Sequence, residues 1–474
     1  MEGRRFVSAT LPAPATGPIR ATPSSLGEGE PDRATPRRSP AAPRGAVEFD
    51  GRSAREPGSH AREAQRNGVA DESQLVARGW EAALAASESI DLPQPDAWQV
   101  VEALRLGVVP SRGVHAYAVA RSRELADLER LFAARRGCRV LWGDYGTGKS
   151  HLLDVAEQLA LDRGFVTARL TLDPRHNALS HPLRLYRAIM TAMRTRRHIE
   201  TGFASILDPL AASLEHRSPL GDRASRFFSP YLHALQHGDD ACIALLGDYV
   251  RGERVDGDAL ERMLKRCGWR GPRPLLLSGY RTYGRMYMHL VGTLASWCED
   301  AGFSGLALLF DEIERVDALR ADDQRYAFEV LRHYAAVLMR PETLCFDPES
   351  LHRGGHDIHR QLDLRFRDDQ PLTALFALTP LPRIQDEFLT ITTSHEYDLR
   401  LMPLRTVDVV ELVSNITRVY RLAFPTFEPS PTALTRIAES ASRGLDRASD
   451  SIRAAVRAVV FELDHDRTSV RPDD

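Results

Sequence analysis

The chain has 474 residues, of which 62 are Lys or Arg and 65 are Asp or Glu, so its formal net charge is −3. With 43% hydrophobic and 27% charged residues, its composition is that of a globular protein that buries a core, and its length predicts about two to three domains. The near balance of charge excludes a strongly basic coat for nucleic acid and a polyacidic tail protein.

Lysine is almost absent from the chain. Lys149 and Lys265 are the only two, and arginine supplies all other basic residues. Arginine replaces lysine where only a positive charge is needed, but not where a compact, rotatable ammonium group is required. A retained lysine is therefore a candidate for chemistry.

Cysteine usage and apolar patterning favour a cytoplasmic protein. The five cysteines form no C-x-x-C pair, and an odd number in a long chain argues against a disulfide framework. The N-terminal residues lack the apolar stretch of a signal peptide. No run of about 18 apolar residues occurs, so no membrane partner is expected.

The chain begins with a segment that favours disorder. Residues 1–75 are rich in Pro, Ala, Arg, Gly and Ser and poor in large apolar residues, so burial cannot offset the entropy cost of ordering. Residues 76–136 have apolar residues at helical spacing and are predicted to form an N-terminal helical lead-in. The core is predicted over residues 137–405 and opens with a short apolar strand, Val140-Leu141-Trp142.

The core pattern begins like a βαβ unit. A helix is predicted from Ser150 to about Arg163, then a strand from Val166 to Leu172 and a helix from His181 to Arg197. Residues from about 199 to 275 contain helical segments and turn residues, which predicts a helical insertion.

The second half of the chain contains two more apolar strands. A helix is predicted from about Tyr280 to Asp300, before the run Leu306–Phe310, and a further strand is predicted at Leu372–Leu378. Residues 406–474 are predicted to form a C-terminal helical lid.

A glycine-rich motif follows the first strand of the core. Gly143-Asp-Tyr-Gly-Thr-Gly-Lys-Ser150 fits G-x-x-x-x-G-K-[ST], with a strand before it and an amphipathic helix after it. Glycines let backbone N–H groups point at phosphate oxygens, and the helix N-terminus adds partial positive charge. Lys149 is expected to reach the β- and γ-phosphates and Ser150 to bind Mg²⁺. The predicted nucleotide-binding residues are Gly143, Asp144, Tyr145, Gly146, Thr147, Gly148, Lys149 and Ser150.

One of the two lysines therefore stands where this chemistry requires one. The alternative is a glycine-rich turn that only caps a helix. Lys265 lies in a charged helical pattern and is predicted to be an ordinary surface charge.

Two acids end the strand Leu306–Phe310. Asp311 is expected to hold the Mg²⁺ shell together with Ser150, and Glu312 to polarise the attacking water. The alternative is a pair of helix-capping acids. Thr379, after the strand Leu372–Leu378, is expected to sense the γ-phosphate, so the predicted catalytic residues are Lys149, Asp311, Glu312 and Thr379. Arg383 and Arg447 are candidates for an arginine that completes the site.

Several segments together resemble a known family. They are Gly143-Asp-Tyr-Gly-Thr-Gly-Lys-Ser-His151, His181-Pro-Leu-Arg-Leu-Tyr-Arg187, Gly302-Phe-Ser-Gly-Leu-Ala-Leu-Leu-Phe-Asp-Glu312 and Ala103-Leu-Arg-Leu-Gly-Val-Val-Pro110. They resemble the BREX-system ATP-binding proteins of the BrxD type, which are AAA+-like P-loop ATPases encoded in bacterial phage-defence clusters. The resemblance covers about residues 95–465. The chain departs from an Orc/Cdc6-like G-R-E entry motif, since Ala120-Arg-Ser-Arg-Glu124 stands there.

The resemblance implies an α/β P-loop NTPase of the AAA+ type, with a parallel sheet, a helical insertion and a C-terminal helical lid. It implies hydrolysis of ATP to ADP and phosphate, which drives conformational switching, with ATP and Mg²⁺ as ligands. It carries Lys149 and Ser150 over as phosphate and Mg²⁺ ligands and Asp311 and Glu312 as the acidic pair.

The expected partners are other defence-system proteins, while an indirect or weak DNA contact and a homo-oligomer are left open. Two alternatives to the ATPase remain. One is a nucleotide-gated binding or signalling module with little turnover, and the other is an origin-type DNA-binding ATPase.

Overall fold

The computed structural model describes residues 92–469, except for residues 109, 111–112, 114–115, 117–120, 198–200, 215–226, 355–365, 368, 403–405, 431–432, 435, 438 and 442–450. All described residues belong to one compact unit, Ala64–Asp474. The predicted disordered tail, residues 1–75, and the first part of the predicted helical lead-in lie outside the described residues.

Within the described residues, two helices precede the sheet. Helix α1, Gln94–Leu106, has a proline in its first turn and ends at Gly107, which adopts a left-handed conformation with φ 71°. Proline suits the first turn because the N–H it lacks has no partner there, and glycine suits the left-handed end because it has no Cβ. Helix α2, Ser122–Ala134, buries Leu128, Leu131 and Phe132 along one stripe.

A six-stranded sheet forms the centre of the described unit. Its strands are β1, Gly137–Trp142; β2, Val166–Thr171; β3, Met193–Arg194; β4, Leu306–Asp311; β5, Leu372–Leu378; and β6, Asp398–Arg400. Their order is β3-β2-β4-β5-β1-β6. All neighbouring strands are parallel except β2 and β3, which are antiparallel.

Both faces of the sheet are buried, as the continuous apolar runs in β4 and β5 indicate. Successive side chains alternate between two apolar clusters. Leu308 and Phe310 join the cluster that includes helix α9, Gly284–Asp300, whereas Ala307 and Leu309 join the cluster that includes α1 and α2.

Two helices flank β2 along the chain. Helix α3, Lys149–Asp162, starts directly after the glycine-rich loop, and helix α4, Pro182–Ala192, follows β2. The helix predicted from His181 to Arg197 is therefore too long, because the chain leaves α4 at Ala192 and adds the two-residue edge strand β3 beside β2.

The described part of the segment between β3 and β4 is mostly helical. It contains α5, Leu207–Leu214; α6, Ser229–His237; α7, Asp240–Val250; α8, Gly257–Arg266; and α9. The side chains of Asp239 and Asp256 accept backbone N–H groups at the starts of α7 and α8. The helix predicted from about Tyr280 begins as a short 3₁₀ turn, and its α-helical part starts at Gly284.

Four further helices are described in the part of the chain after β4. They are α10, Ala321–Leu338; α11, Pro382–Leu389; α12, Thr406–Ala423; and α13, Ser451–Ser469. Helices α1, α12 and α13 pack on one another, and their buried residues belong to the same apolar cluster as Leu141 of β1. They thereby lie on the face of the sheet that carries α3.

The described residues form a mixed α/β structure with a mostly parallel sheet, which confirms the predicted α/β class. Within this part of the chain, the helices are too short or too polar for any of them to cross a bilayer.

Candidate nucleotide-binding site

The glycine-rich loop leads from a central strand into α3. Gly146 and Gly148 have φ values of 79° and 91°, which residues with a Cβ rarely adopt. At Gly143, an added Cβ would lie 2.5 Å from Thr147 Oγ1, so a larger residue would displace the Thr147 hydroxyl. Thr147 fastens the loop because its N–H and its hydroxyl both donate to Asp144 O, at 3.3 and 2.8 Å. The loop therefore encloses a compact turn ahead of the helix N-terminus.

Lys149 is buried at the first position of α3, with 8% of its surface exposed. Its Nζ donates to Gly143 O at 2.7 Å, to Asp144 O at 3.0 Å and to Thr379 Oγ1 at 3.2 Å. The exposed ring of Tyr145 lies beside it, with the ring centroid 5.4 Å from Nζ. The ammonium group thus sits at the mouth of the loop.

The carboxyl ends of β1, β4 and β5 lie side by side next to Lys149. Gly143 N, just after β1, donates to Leu378 O at the end of β5, and β5 pairs with β4, which ends at Asp311. The carboxyl ends of parallel strands lie at one edge of a sheet. The strand order therefore brings Lys149, Asp311 and Thr379 together from three distant parts of the chain.

The two predicted acids have different surroundings. Asp311 is buried, its Oδ1 accepts the backbone N–H of Glu312, and its Oδ2 lies 3.6 Å from Arg169 Nη2. Glu312 is half-buried and adopts a left-handed backbone, φ 60° and ψ 40°. Its Oε2 lies 2.5 Å from Arg315 Nε.

A third acid, Glu314, belongs to the site and was missed by the sequence analysis. It is 5% exposed, and its Oε1 accepts the hydroxyl hydrogen of Thr379 at 2.6 Å. Its Oε2 is buried and accepts no hydrogen bond within the described residues. Since Thr379 also accepts from Lys149, a hydrogen-bonded chain runs from Lys149 through Thr379 to Glu314.

Burial and neighbouring charges change the pKa values of Lys149 and His151. Burial lowers the pKa of Lys149, and the negative charge of Glu314 is the largest influence that opposes this shift. Burial, aided by Arg121 and Arg169, lowers the pKa of His151 to about 4, so this histidine is neutral at pH 7.

A cavity of about 280 Å³ opens beside the loop. Its lining from the loop, α3 and the segment after β4 comprises Tyr145, Gly146, Thr147, Gly148, Lys149, Ser150, His151, Leu152, Asp311, Glu312 and Glu314. Its lining from the rest of the chain comprises Leu104, Gly107, Val108, Arg121, Leu412, Ile452, Arg453 and Val456. One end is thus polar, and the other is formed mostly by apolar residues of α1, α12 and α13.

Among the described residues, two arginines reach the cavity. Arg121 is 8% exposed, and its Nη2 donates to Thr147 O at 2.9 Å and to Met402 O at 3.1 Å. Arg453 lines the cavity from α13. The sequence candidate Arg383 instead lies near Asp317, and it is not part of the lining. The other candidate, Arg447, lies outside the described residues.

The oxygen atoms of Ser150 and Asp311 fit a cation that is also bound by phosphate oxygens. Ser150 offers a hydroxyl and Asp311 a carboxylate in the same cavity. Among the described residues, no group of three His, Cys, Asp or Glu side chains could hold a metal by itself. Mg²⁺ in phosphate-binding sites is usually held by one or two protein oxygens, substrate phosphates and water, so the residues fit this ion.

Together the fold and site define a mixed α/β protein with a mostly parallel sheet and a glycine-rich loop that joins a central strand to a helix at Lys149. Residues 92–225 match the model of a family described as BREX system ATP-binding protein BrxC/D, which confirms the resemblance to the BREX ATP-binding proteins. The matched segment includes the loop, whereas Asp311, Glu312 and Thr379 lie beyond it.

Among solved structures, the chain is similar to a chain in the structure of Drosophila ORC bound to DNA. The identity is 13% and the TM-score 0.32, over 82% of this chain and 67% of that chain, which is too weak to define the fold or the function. No curated protein matches the chain.

Proposed function

We propose that the chain is an AAA+-type P-loop ATPase of the BrxD kind, which binds ATP and Mg²⁺ and hydrolyses ATP to switch its contacts in a phage-defence system. The observation that carries the proposal is the convergence of Lys149, Asp311 and Thr379 at one sheet edge, beside a cavity. The family match over residues 92–225 supports ATP as the nucleotide.

In the proposed mechanism, ATP lies in the cavity with its phosphates at the polar end and its base toward the apolar end. Backbone N–H groups of the loop hold the phosphates, and Lys149 exchanges its carbonyl contacts for phosphate oxygens. Ser150 and Asp311 would hold Mg²⁺, which neutralises charge on the phosphates when it is bound. Thr379 is proposed to sense the γ-phosphate, and its contact with Lys149 supports this role.

Glu312 is proposed to polarise the attacking water. Its contact with Arg315 must loosen first, because a carboxylate paired with a guanidinium is a weaker base. Glu314 is proposed to position Thr379 and to balance the charge of Lys149.

The contact between Glu312 and Arg315 also favours a second candidate. If the pair stays closed with ATP bound, the chain would be a nucleotide-gated module with little turnover. In both cases the proposed setting is the cytoplasm, with other defence-system proteins as partners. The division into a helical lead-in, a core with a helical insertion and a C-terminal lid belongs to the same proposal.

The test compares wild type with Glu312→Gln and with the control Glu428→Gln, whose glutamate lies on the surface beside Arg421. We expect wild type and control to release phosphate from MgATP, and Glu312→Gln to be slower by about 10²-fold or more. A fluorescent ATP analogue should bind all three proteins with similar affinity.

Negligible phosphate release in all three proteins, with ATP bound, would leave only the nucleotide-gated module. If wild type did not bind ATP, both the ATPase and the nucleotide-gated module would be contradicted.

A further inference from the structure

A second groove lies on the far side of β2 from the centre of the sheet. It has a volume of about 590 Å³ and is formed by the end of β2, the following turn and α4. Its charged and polar lining comprises Arg169, Arg175, Arg184, Arg187, His176, Asn177, Thr171 and Thr191. The lining contains no carboxylate and no phenylalanine, tyrosine or tryptophan.

The positive charge of the groove is not fully balanced by neighbouring acids. Arg169 is held by Asp154 and lies 3.6 Å from Asp311, so its charge is compensated. Arg175 and Arg184 are exposed, and within the described part of the chain neither guanidinium pairs with a carboxylate. These two arginines therefore supply charge that is open to a ligand.

The arginines of α4 are held in a fixed arrangement. Arg184 Nη1 donates to Arg175 O at 3.2 Å, which joins the helix to the turn. Arg187 Nε donates to Gly252 O at 2.6 Å, and its Nη2 lies 4.0 Å from Glu253. Arg184, Arg187 and Thr191 follow one face of α4, since residues three and four apart on a helix are neighbours.

The turn beside them is also fixed. Asp173 Oδ1 accepts the backbone N–H groups of Arg175 and His176, at 2.8 and 3.1 Å. Asn177 Oδ1 accepts Asp173 N at 2.6 Å, and its Nδ2 donates to Thr171 O at 3.0 Å. A preorganised turn loses little entropy when a ligand binds.

We propose that this groove binds the phosphate backbone of duplex DNA without regard to sequence. The planar guanidinium forks of Arg175 and Arg184 match phosphate oxygens, and hydroxyl and amide side chains commonly add contacts to the backbone. Phosphate contacts carry no sequence information, so binding depends on charge and salt.

The lining argues against two other ligands. Single-stranded nucleic acid is usually held by bases stacked on aromatic rings, and this lining has no such ring from Phe, Tyr or Trp. An acidic peptide needs an apolar anchor for most of its affinity, and the groove offers only Leu170, Ala188 and Ala192 as apolar surface.

The experiment measures, by fluorescence anisotropy, the binding of the full chain to a fluorescein-labelled DNA duplex. The duplex has about 25 base pairs, which is about two helical turns, and the salt concentration is varied from about 50 to about 200 mM, where affinity that depends on phosphate contacts changes strongly. The variant is Arg175→Glu with Arg184→Glu. The matched control is Arg123→Glu with Arg262→Glu, which makes the same charge change at exposed positions on α2 and α8.

We expect the control to bind like wild type, and the groove variant to bind at least about tenfold more weakly. The slope of log affinity against log salt should fall by about two, since each lost phosphate contact accounts for about 0.9. Phosphate release without DNA and the thermal midpoint should match the control. If the double charge reversal does not fold, Arg175→Gln with Arg184→Gln gives the same comparison.

Several results would overturn the proposal. One such result is that wild type does not bind the duplex at low salt. Another is that the groove variant binds as tightly as the control, which would show that another surface binds the DNA. The ligand would be single-stranded DNA if a single strand of equal length bound more tightly than the duplex. It would be an acidic peptide if polyglutamate of equal charge displaced the duplex.

Discussion

Lys149 has three oxygen partners within the protein. Its Nζ contacts two loop carbonyls and the hydroxyl of Thr379, all within 3.2 Å. A compact ammonium group can rotate from these acceptors to phosphate oxygens, whereas a planar guanidinium of larger size has a fixed fork geometry. The identity of the residue therefore matters here as much as its charge.

Lys149→Arg should abolish ATP hydrolysis and weaken ATP binding, although it keeps the positive charge. The matched control is Lys265→Arg, which changes the only other lysine of the chain. Lys265 is exposed on α8 and forms an ion pair with Glu261 one turn away, so the control should keep wild-type phosphate release. Wild-type turnover by Lys149→Arg would contradict the assignment of the loop.

At the residue scale, the sequence predicted the loop, the two acids and Thr379, because each follows a recognisable strand. The roles assigned to these residues stay predictions. Glu314 could not be predicted, since it stands in the charged stretch Asp311-Glu-Ile-Glu-Arg315, where any acid could face solvent. Only the turn after β4 and the neighbouring end of β5 show that it is buried against Thr379.

Helix α1 and the two C-terminal helices α12 and α13 meet at Asp464 of α13. Arg105 of α1 donates to both of its carboxylate oxygens, at 2.8 and 2.9 Å. The hydroxyl of Tyr420 on α12 donates to Oδ1 at 2.6 Å and accepts from Arg467 Nε at 2.8 Å. The network ties the helices that form the apolar end of the cavity.

Asp464→Asn should lower the thermal midpoint by about 2–4 °C at neutral pH, because it removes a charge-assisted pair within a partly buried network. Burial raises the pKa of Asp464, but hydrogen bonds from Arg105 and Tyr420 outweigh it and the pKa is lowered overall. A lowered pKa stabilises the fold above the ordinary pKa of about 4, and this contribution is lost as the pH falls below it.

The difference between wild type and Asp464→Asn should therefore be constant from about pH 6 to 8 and shrink below about pH 4. Asp258→Asn, at an exposed position on α8, is the control and should have little effect on the midpoint. A difference that grows on acidification would contradict this account of the network.

At the element scale, continuous apolar runs were enough to predict β1, β4 and β5, because buried parallel strands have such runs. The alternation of apolar residues from Val166 to Leu172 was enough to predict β2. The edge strand β3 was not predicted. It has only two residues, and its pairing with Thr167 and Ala168 of β2 depends on the tertiary fold rather than on a local pattern.

In the whole molecule, the cavity is bounded by interior parts of the described chain and by helices from both of its ends. The loop and the segment after β4 form its polar end, whereas α1, α12 and α13 close its other end. A nucleotide bound there would contact both parts and hold them together. Binding to the folded state alone raises stability by about 2.7 kcal/mol at a ligand concentration 100 times the Kd.

Arg453→Ala should reduce the rise in thermal midpoint that ATP produces, because Arg453 is the charged residue that α13 contributes to the cavity. The midpoint without ATP is measured for each protein as the reference. Arg123→Ala, at an exposed position on α2, should leave both values unchanged. An ATP-dependent rise equal to that of wild type would show that α13 does not contact the nucleotide through this residue.

The backbone of Glu312 has a further consequence. It and Arg135 are the non-glycine residues with positive φ in the described part of the chain. A left-handed conformation costs a non-glycine residue about 1 kcal/mol, and glycine would avoid this cost. Selection for stability alone would favour glycine at this position, and selection for a carboxylate beside the phosphates would favour glutamate. The two pressures oppose each other at one residue, as is common where a protein gives up stability for activity.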